Sequence, residues 1–388
     1  MPTTRRLFLL TLALTSLFAS ACVNNYKPRS QQPLSPLRGT LLAIGGGLED
    51  DNAPVYERFA QLARQGAGQR APRIVIVTTA SGDEPDAQRG KRESFAVWCP
   101  QIPVDVIGRD TPSADAVATI DAASALFFTG GDQKRITTKY RPANTDTPEW
   151  LAMQRLLARG GVIAGTSAGA AMMGDIMFFS GRSAPALGII KEGQRGVAFD
   201  PDNPIDDEDA VVIGPRIGPG MKLVPWALID SHFFERDRIG RLVAALEDSS
   251  ARLGIGVGED ACVEINLATG EVTGTSVAAS LLVDRAWLTR EGLTRRGGIA
   301  YVLAKGDSVH LASRLTTKFA APKPRPAGEP TNITIAEPGQ SRQLASWRVF
   351  VRGSEGLHAV DLGGWSVVTW PDNDGWVGFD IEVPANPR

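Results

Sequence analysis

The chain has 388 residues, of which 43% are hydrophobic and 22% charged, with a formal net charge of −2. That balance excludes a disordered or fibrous chain and a mostly membrane-embedded one, and it provides no basic field to collect nucleic acid. Three cysteines are too few for a disulfide scaffold or zinc ribbon, and His232, His310 and His358 are the three histidines available for chemistry.

At about 150 residues per domain the length predicts two or three units. Residues 1–21 read as an export signal: Arg5-Arg6, an apolar run from Leu7 to Leu14, then small residues. The stretch Thr4–Leu9 is similar to a twin-arginine signal. Ala19-Ser20-Ala21-Cys22 is similar to a lipobox, in which Cys22 would be lipidated. The apolar run is shorter than the ~20 residues a membrane span needs. These features predict an exported protein, periplasmic, lipid-anchored at the outer membrane, or secreted. Residues 22–37, rich in Asn, Gln, Ser and Pro, suit a solvated tether. Cys99 and Cys262 are read as buried free thiols.

A domain is expected over residues 38–314. Leu41–Ile44 leads into Gly45-Gly46-Gly47, and Val55, Phe59, Leu62 and Ala63 recur at helical spacing. Arg73–Thr79, Val104–Ile107 and Ala125–Thr129 are strand-like runs, the last ending at Gly130-Gly131-Asp132. Trp150–Ala158 is helical, Val162–Ala164 enters Gly165-Thr166-Ser167-Ala168-Gly169, and Ala227–Asp230 precedes His232. Arg238–Leu246 is again helical. The alternation predicts a parallel sheet covered by helices on both faces. In such sheets functional groups sit at the carboxyl ends of strands, where Gly131, Ser167 and His232 fall. After Leu253, runs such as Ala261–Ile265, Val277–Val283 and Ile299–Ala304 form a β-rich completion of the same domain. Residues 315–340 form a Pro-rich linker. Residues 341–388 form an extension holding Trp347, Trp365, Trp370 and Trp376, read as packing on the main domain in preference to an aromatic surface for polymer or partner.

Gly165-Thr166-Ser167-Ala168-Gly169 fits G-x-S-x-G at a strand-to-helix junction, the context that motif requires. A sharp turn there lifts a serine Oγ out of the sheet, and the following helix brings N–H groups and its positive end to developing negative charge. Such a serine needs a base. His232 follows a predicted strand, whereas His310 and His358 lie in the β-rich end and the extension. The base in turn needs an orienting acid. Glu259, beyond the next strand, is the leading candidate, with Asp230 and Asp260 as local alternatives. Gly131 and Ala168 are candidate oxyanion-hole donors, since both follow strand ends beside the serine. Arg236, Arg238 and Arg241 follow His232 closely, and a guanidinium suits bidentate carboxylate recognition. Gly45-Gly46-Gly47 lacks the remainder of a phosphate-binding motif and reads as a structural turn near the active face.

Taken together, Gly130-Gly131-Asp132-Gln133, Gly165–Ala170, and Asp230-Ser231-His232-Phe233 followed by Arg236, Arg238 and Arg241 resemble the cyanophycinases of peptidase family S51. Gly254-Ile255-Gly256-Val257 with Glu259 is similar to that family's acid segment. The resemblance spans about residues 40–314. It implies a flavodoxin-like or class I glutamine-amidotransferase-like α/β three-layer sandwich with a mostly parallel sheet. It implies Ser167 as nucleophile, His232 as base and Glu259 as acid in a metal-independent, cofactor-free serine exopeptidase, usually a homodimer. It also implies that Gln133, Asp230, Arg236, Arg238 and Arg241 line the substrate site. The substrate so implied is cyanophycin, poly-aspartate bearing arginine on each β-carboxyl, cleaved to β-Asp-Arg dipeptides, or another β-aspartyl peptide. The chain departs from the family at Ser231, often Gln there, and at Asp132, commonly Asn, both beside the expected pocket. An α/β-hydrolase esterase is the alternative enzyme. It orders its triad Ser, acid, His, whereas the acid here follows the histidine. A binding protein with a degenerate site is the non-enzymatic alternative, opposed by the joint presence of Ser167, His232 and Glu259.

Overall fold

The computed structural model describes residues 37–188, 198–199, 216–276, 278–310, 325–333, 342–362, 364–372 and 375–384. The segment read as an export signal, Cys22, the expected tether up to residue 36 and much of the expected Pro-rich linker lie outside the described residues.

In chain order the first half gives β1 (Thr40–Ile44), α1 (Ala53–Ala67), β2 (Ile74–Val77), α2 (Glu84–Trp98), β3 (Val104–Ile107), α3 (Ser113–Ala122) and β4 (Ala125–Phe128). It continues with α4 (Gln133–Tyr140), α5 (Pro148–Ala158), β5 (Val162–Thr166) and the short α6 (Ala168–Ala171). Strands β1, β5, β4, β2 and β3 pair in that order, all parallel. The middle strands are continuous apolar runs because helices cover both faces. Phe59 of α1 and Phe95 of α2 pack with Phe127 on one side. Ala116 and Ile120 of α3, and Trp150, Met153 and Leu156 of α5, pack with Leu126 and Phe128 on the other. The helices start where side chains can cap them. Asn52, Asp83, Asp132 and Thr147 each accept a backbone N–H from the first turn of α1, α2, α4 and α5. This is the α/β architecture with a mostly parallel sheet that the sequence predicts.

The second half adds β6 (Ile176–Ser180), α7 (Ser183–Ala186), β7 (Ala198–Phe199), β8 (Arg216–Pro219), β9 (Ala227–Asp230), α8 (Ile239–Glu247), β10 (Leu253–Val257), β11 (Cys262–Asn266) and β12 (Glu271–Gly274). Then come β13 (Ser280–Asp284), β14 (Thr289–Glu291), β15 (Thr294–Leu303), β16 (Ser308–His310), β17 (Thr331–Asn332), α9 (Arg342–Gly353), β18 (His358–Asp361), β19 (Ser366–Pro371) and β20 (Trp376–Glu382). Strands β11, β12 and β16 extend the first sheet antiparallel, with β11 against β1. A small third sheet joins β6, β8 and β7.

The parallel sheet expected to include Ala227–Asp230 is in fact divided. Strands β9 and β10 pair parallel with each other but belong to a second sheet, ordered β17-β18-β19-β20-β15-β13-β10-β9. The outer edge of β1 is taken by β11, so the first sheet has no free parallel edge there.

The C-terminal extension is built into that second sheet. Strand β20 pairs with β15, placing Trp376 opposite Tyr301 and Phe379 opposite Gly298. Trp365, Trp370 and Trp376 are buried, and residues Ser35–Arg388 form one compact unit. Cys99 and Cys262 are buried free thiols. Burial pushes the first up to about 11 and the second to about 12, which makes both poor nucleophiles.

Candidate active site

Ser167 sits at the end of β5 with φ 53° and ψ −108°, outside the regions an L-residue ordinarily occupies. Its N–H donates to the Ile44 carbonyl at 2.9 Å, tying the turn to β1. Both glycines of the motif are required by close approach. A Cβ on Gly165 would lie 2.1 Å from the Gly169 carbonyl oxygen, and one on Gly169 would lie 2.7 Å from Phe128 backbone and side-chain atoms. The strained turn is therefore held by tight packing against β4 and α6.

His232 follows β9 and also adopts positive φ, 45°. Its N–H donates to the Gly45 carbonyl at 2.7 Å, and its Nε2 lies 2.8 Å from Ser167 Oγ. Glu259 follows β10, and its Oε1 lies 2.6 Å from His232 Nδ1. A carboxylate at Nδ1 selects the tautomer protonated there, which leaves the Nε2 lone pair to accept the serine proton. The Gly45-Gly46-Gly47 turn is a wall of this constellation. Gly46 has φ 101°, and a Cβ on it would fall 2.2 Å from the imidazole Cε1. A Cβ on Gly47 would be 3.2 Å from that of Glu259.

The other two acids near His232 are committed elsewhere. Asp230 is fully buried and accepts from Arg241 Nε at 2.8 Å, with Arg241 Nη2 on its other oxygen. Asp260 Oδ1 accepts from Asn52 Nδ2 at 2.7 Å and from the Glu49 N–H at 3.1 Å. Sequence alone could not have separated the three, because each lies beside a strand end.

Burial lowers the His232 pKa. Hydrogen bonding to Glu259 opposes that shift, and the charges of Arg236 and Arg238 reinforce it. The ring is thus biased toward the neutral form in which it can act as a base.

Gly131, beyond β4, has φ 133° and approaches Ala80 so closely that a Cβ would lie 2.1 Å from its carbonyl oxygen. Its neighbour Gly130 lies against Ser167, a Cβ there being 3.5 Å from that of the serine. Ala168 opens α6 immediately after the serine. Gly131 and Ala168 thus lie on the two turns that meet at Ser167.

The five residues expected to line a substrate site are placed differently from one another. Arg236 is exposed. Gln133, at the start of α4, donates from Nε2 to the Phe178 carbonyl at 2.6 Å. Arg238 donates to the Ser231 carbonyl at 2.6 Å and to Asp230 at 3.3 Å. Arg241 is closed onto Asp230 and the Gly181 carbonyl, with its guanidinium 4.5 Å from the Phe178 ring centroid. Asp230 and Arg241 are thus buried, with their polar atoms satisfying one another. Asp132 is occupied as the cap of α4, accepting the Lys134 N–H at 2.8 Å. Among the described residues no cluster of His, Cys, Asp and Glu could hold a metal ion. The contacts of Gly46 and Asn52 were not anticipated; the run of three glycines was the one available signal, and it left their partners unspecified.

Residues 41–188 match the model of peptidase family S51, a stretch that contains Ser167 and Gly131. A cyanophycinase from a Nostoc species is 32% identical over 220 residues, covering 52% of this chain and 62% of the relative. A cyanophycinase from Thermosynechococcus vestitus is 26% identical over 230 residues, covering 58% of this chain and 62% of the relative. The chain thus spans less than two thirds of the length of these curated relatives. The crystal structure of a peptidase from an acI-B1 Actinobacterium aligns with 71% of this chain and 98% of its own, at 17% identity and a TM-score of 0.48.

Proposed function

We propose, from the match of residues 41–188 to the model of peptidase family S51, that this protein is a cyanophycinase-like serine peptidase with Ser167 as nucleophile, His232 as base and Glu259 as the acid that orients it. The observation that carries the reading is the pair of short contacts through one imidazole, 2.8 Å to Ser167 and 2.6 Å to Glu259. His232 Nε2 takes the hydroxyl proton as Ser167 Oγ attacks the carbonyl carbon of the scissile bond. The Gly131 and Ala168 N–H groups receive the oxyanion, and loss of one such donor in other enzymes costs on the order of 10²–10³ in rate. His232 then returns the proton to the leaving amine. A water, deprotonated by the same ring, hydrolyses the acyl-enzyme.

The substrate in this proposal is cyanophycin, cleaved to β-Asp-Arg, or a smaller aspartyl peptide. Support comes from the cyanophycinase relatives and from the exposed Arg236 beside His232, which suits an aspartyl carboxylate. Residues 1–22 further suggest export with lipidation at Cys22. That placement would suit a polymer too large to import, and a homodimer is the assembly the resemblance implies. The α/β-hydrolase esterase reading is disfavoured, since the acid bonded to His232 follows it in the chain.

The test is hydrolysis of insoluble cyanophycin beside α- and β-linked aspartyl dipeptides by wild type and Ser167→Ala. Wild type should release β-Asp-Arg, and the variant should lose activity by several orders of magnitude, on the order of 10⁶ in a well-studied serine protease. Unchanged turnover by Ser167→Ala would overturn the nucleophile assignment. Cleavage of esters without any aspartyl peptide would overturn the peptidase reading.

A further inference from the structure

Glu235 lies three residues beyond His232, in the turn that leads to α8. This turn packs over the strand end that delivers Glu259. The Phe233 ring covers Gly256, where a Cβ would lie 2.4 Å from the ring, and the Phe234 ring covers Gly258, where it would lie 3.2 Å away. Glu235 completes the row, with Oε1 3.5 Å from the same Gly258 position. Its Oε2 is buried and has no hydrogen-bond partner among the described residues. A buried carboxyl with an unpaired oxygen is costly, and the reaction steps above give it no task.

We propose that Glu235 is a positioning residue for the Glu259–His232 pair, its carboxyl bracing the Gly258 turn so that Glu259 stays within hydrogen-bonding distance of the imidazole. The inference rests on the triad reading, and it deepens it. Gly258 has no side chain to fix this turn, and Glu259 is itself partly exposed, so the acid must be anchored through the backbone that precedes it. Glu235 reaches that backbone from the segment carrying His232, and so locks the two segments to each other. The groups that face it are Glu259 across the turn and Arg238 on its own segment. Burial raises its pKa, backbone N–H groups of Glu235 and Glu259 oppose that shift, the Glu259 charge adds to it, and Arg238 opposes it.

The His232 imidazole can be read without any substrate. The full chain has three histidines, so NMR of protein labelled at histidine, with His232→Ala for assignment, resolves the Nδ1 proton and the titration of His232. Glu235→Gln, which keeps the shape of the side chain, should preserve the low-field Nδ1 resonance and the wild-type titration. Glu235→Ala and the milder Glu235→Asp should weaken that resonance and lower the His232 pKa, since the hydrogen bond that His232 donates to Glu259 raises it. With a cleavable aspartyl peptide, kcat should fall in Glu235→Ala with KM unchanged, on the order of 10²-fold for a displacement near 1 Å. A wild-type His232 signal in Glu235→Asp, or equal damage from Glu235→Gln, would overturn the proposal. Failure of the triad reading would instead show as hydrolysis by Ser167→Ala, a separate result.

Discussion

In the proposed mechanism His232 is the base. A base must be neutral, and burial, with Arg236 and Arg238 beside it, holds this imidazole below its ordinary value of 6.5 while Glu259 pulls the other way. The acid limb of kcat/KM should therefore fall at a lower pH than for an unperturbed histidine, with activity rising as His232 loses its proton. Replacing Arg236 by Ala removes a lowering charge, so the limb should move upward. Because Arg236 is exposed, added salt should move the wild-type limb in the same direction. A limb above the ordinary imidazole value, or one that moves down in Arg236→Ala, would contradict this assignment. The meeting of Ser167 and His232 was legible in the sequence because G-x-S-x-G names its own serine and so few histidines compete. Glu259 stood out from Asp230 and Asp260 less sharply. What separates the three is the partner each takes in space: Arg241 for Asp230, Asn52 for Asp260, and the imidazole for Glu259.

At the scale of elements, the strand ends deliver the site and the glycine turn after β1 fits between them. The strands and helices of the first half were legible from apolar period and capping residues, because those signals are local. The division into separate sheets was not, since β10 chooses β13 over β1 through non-local pairing. The extension shows the same limit. Its tryptophans marked a packed element, but nothing in the sequence indicated that β20 would pair with β15. Phe379 on β20 is fully buried, with its ring 5.4 Å from that of Phe350 on α9. Phe379→Ala should cost about 3–5 kcal/mol, read as a lower midpoint in chemical denaturation. Activity per folded molecule should be unchanged. No change in midpoint would mean that the extension contributes little to the unit.

Across the whole molecule, Ser167 comes from one sheet while His232 and Glu259 come from another, so the constellation exists only when the two sheets are assembled. The Gly45 turn joins them: its carbonyl holds His232, and a Cβ on Gly45 would lie 1.9 Å from the Gly258 carbonyl oxygen. This long-range assembly makes the nucleophile the central claim about the molecule. Its most direct test is labelling the intact protein with a fluorophosphonate and mapping the adduct by mass spectrometry. The account predicts one adduct, on Ser167, lost in Ser167→Ala and slowed strongly in His232→Ala. An adduct on another residue, or full-rate labelling of Ser167 without His232, would contradict it.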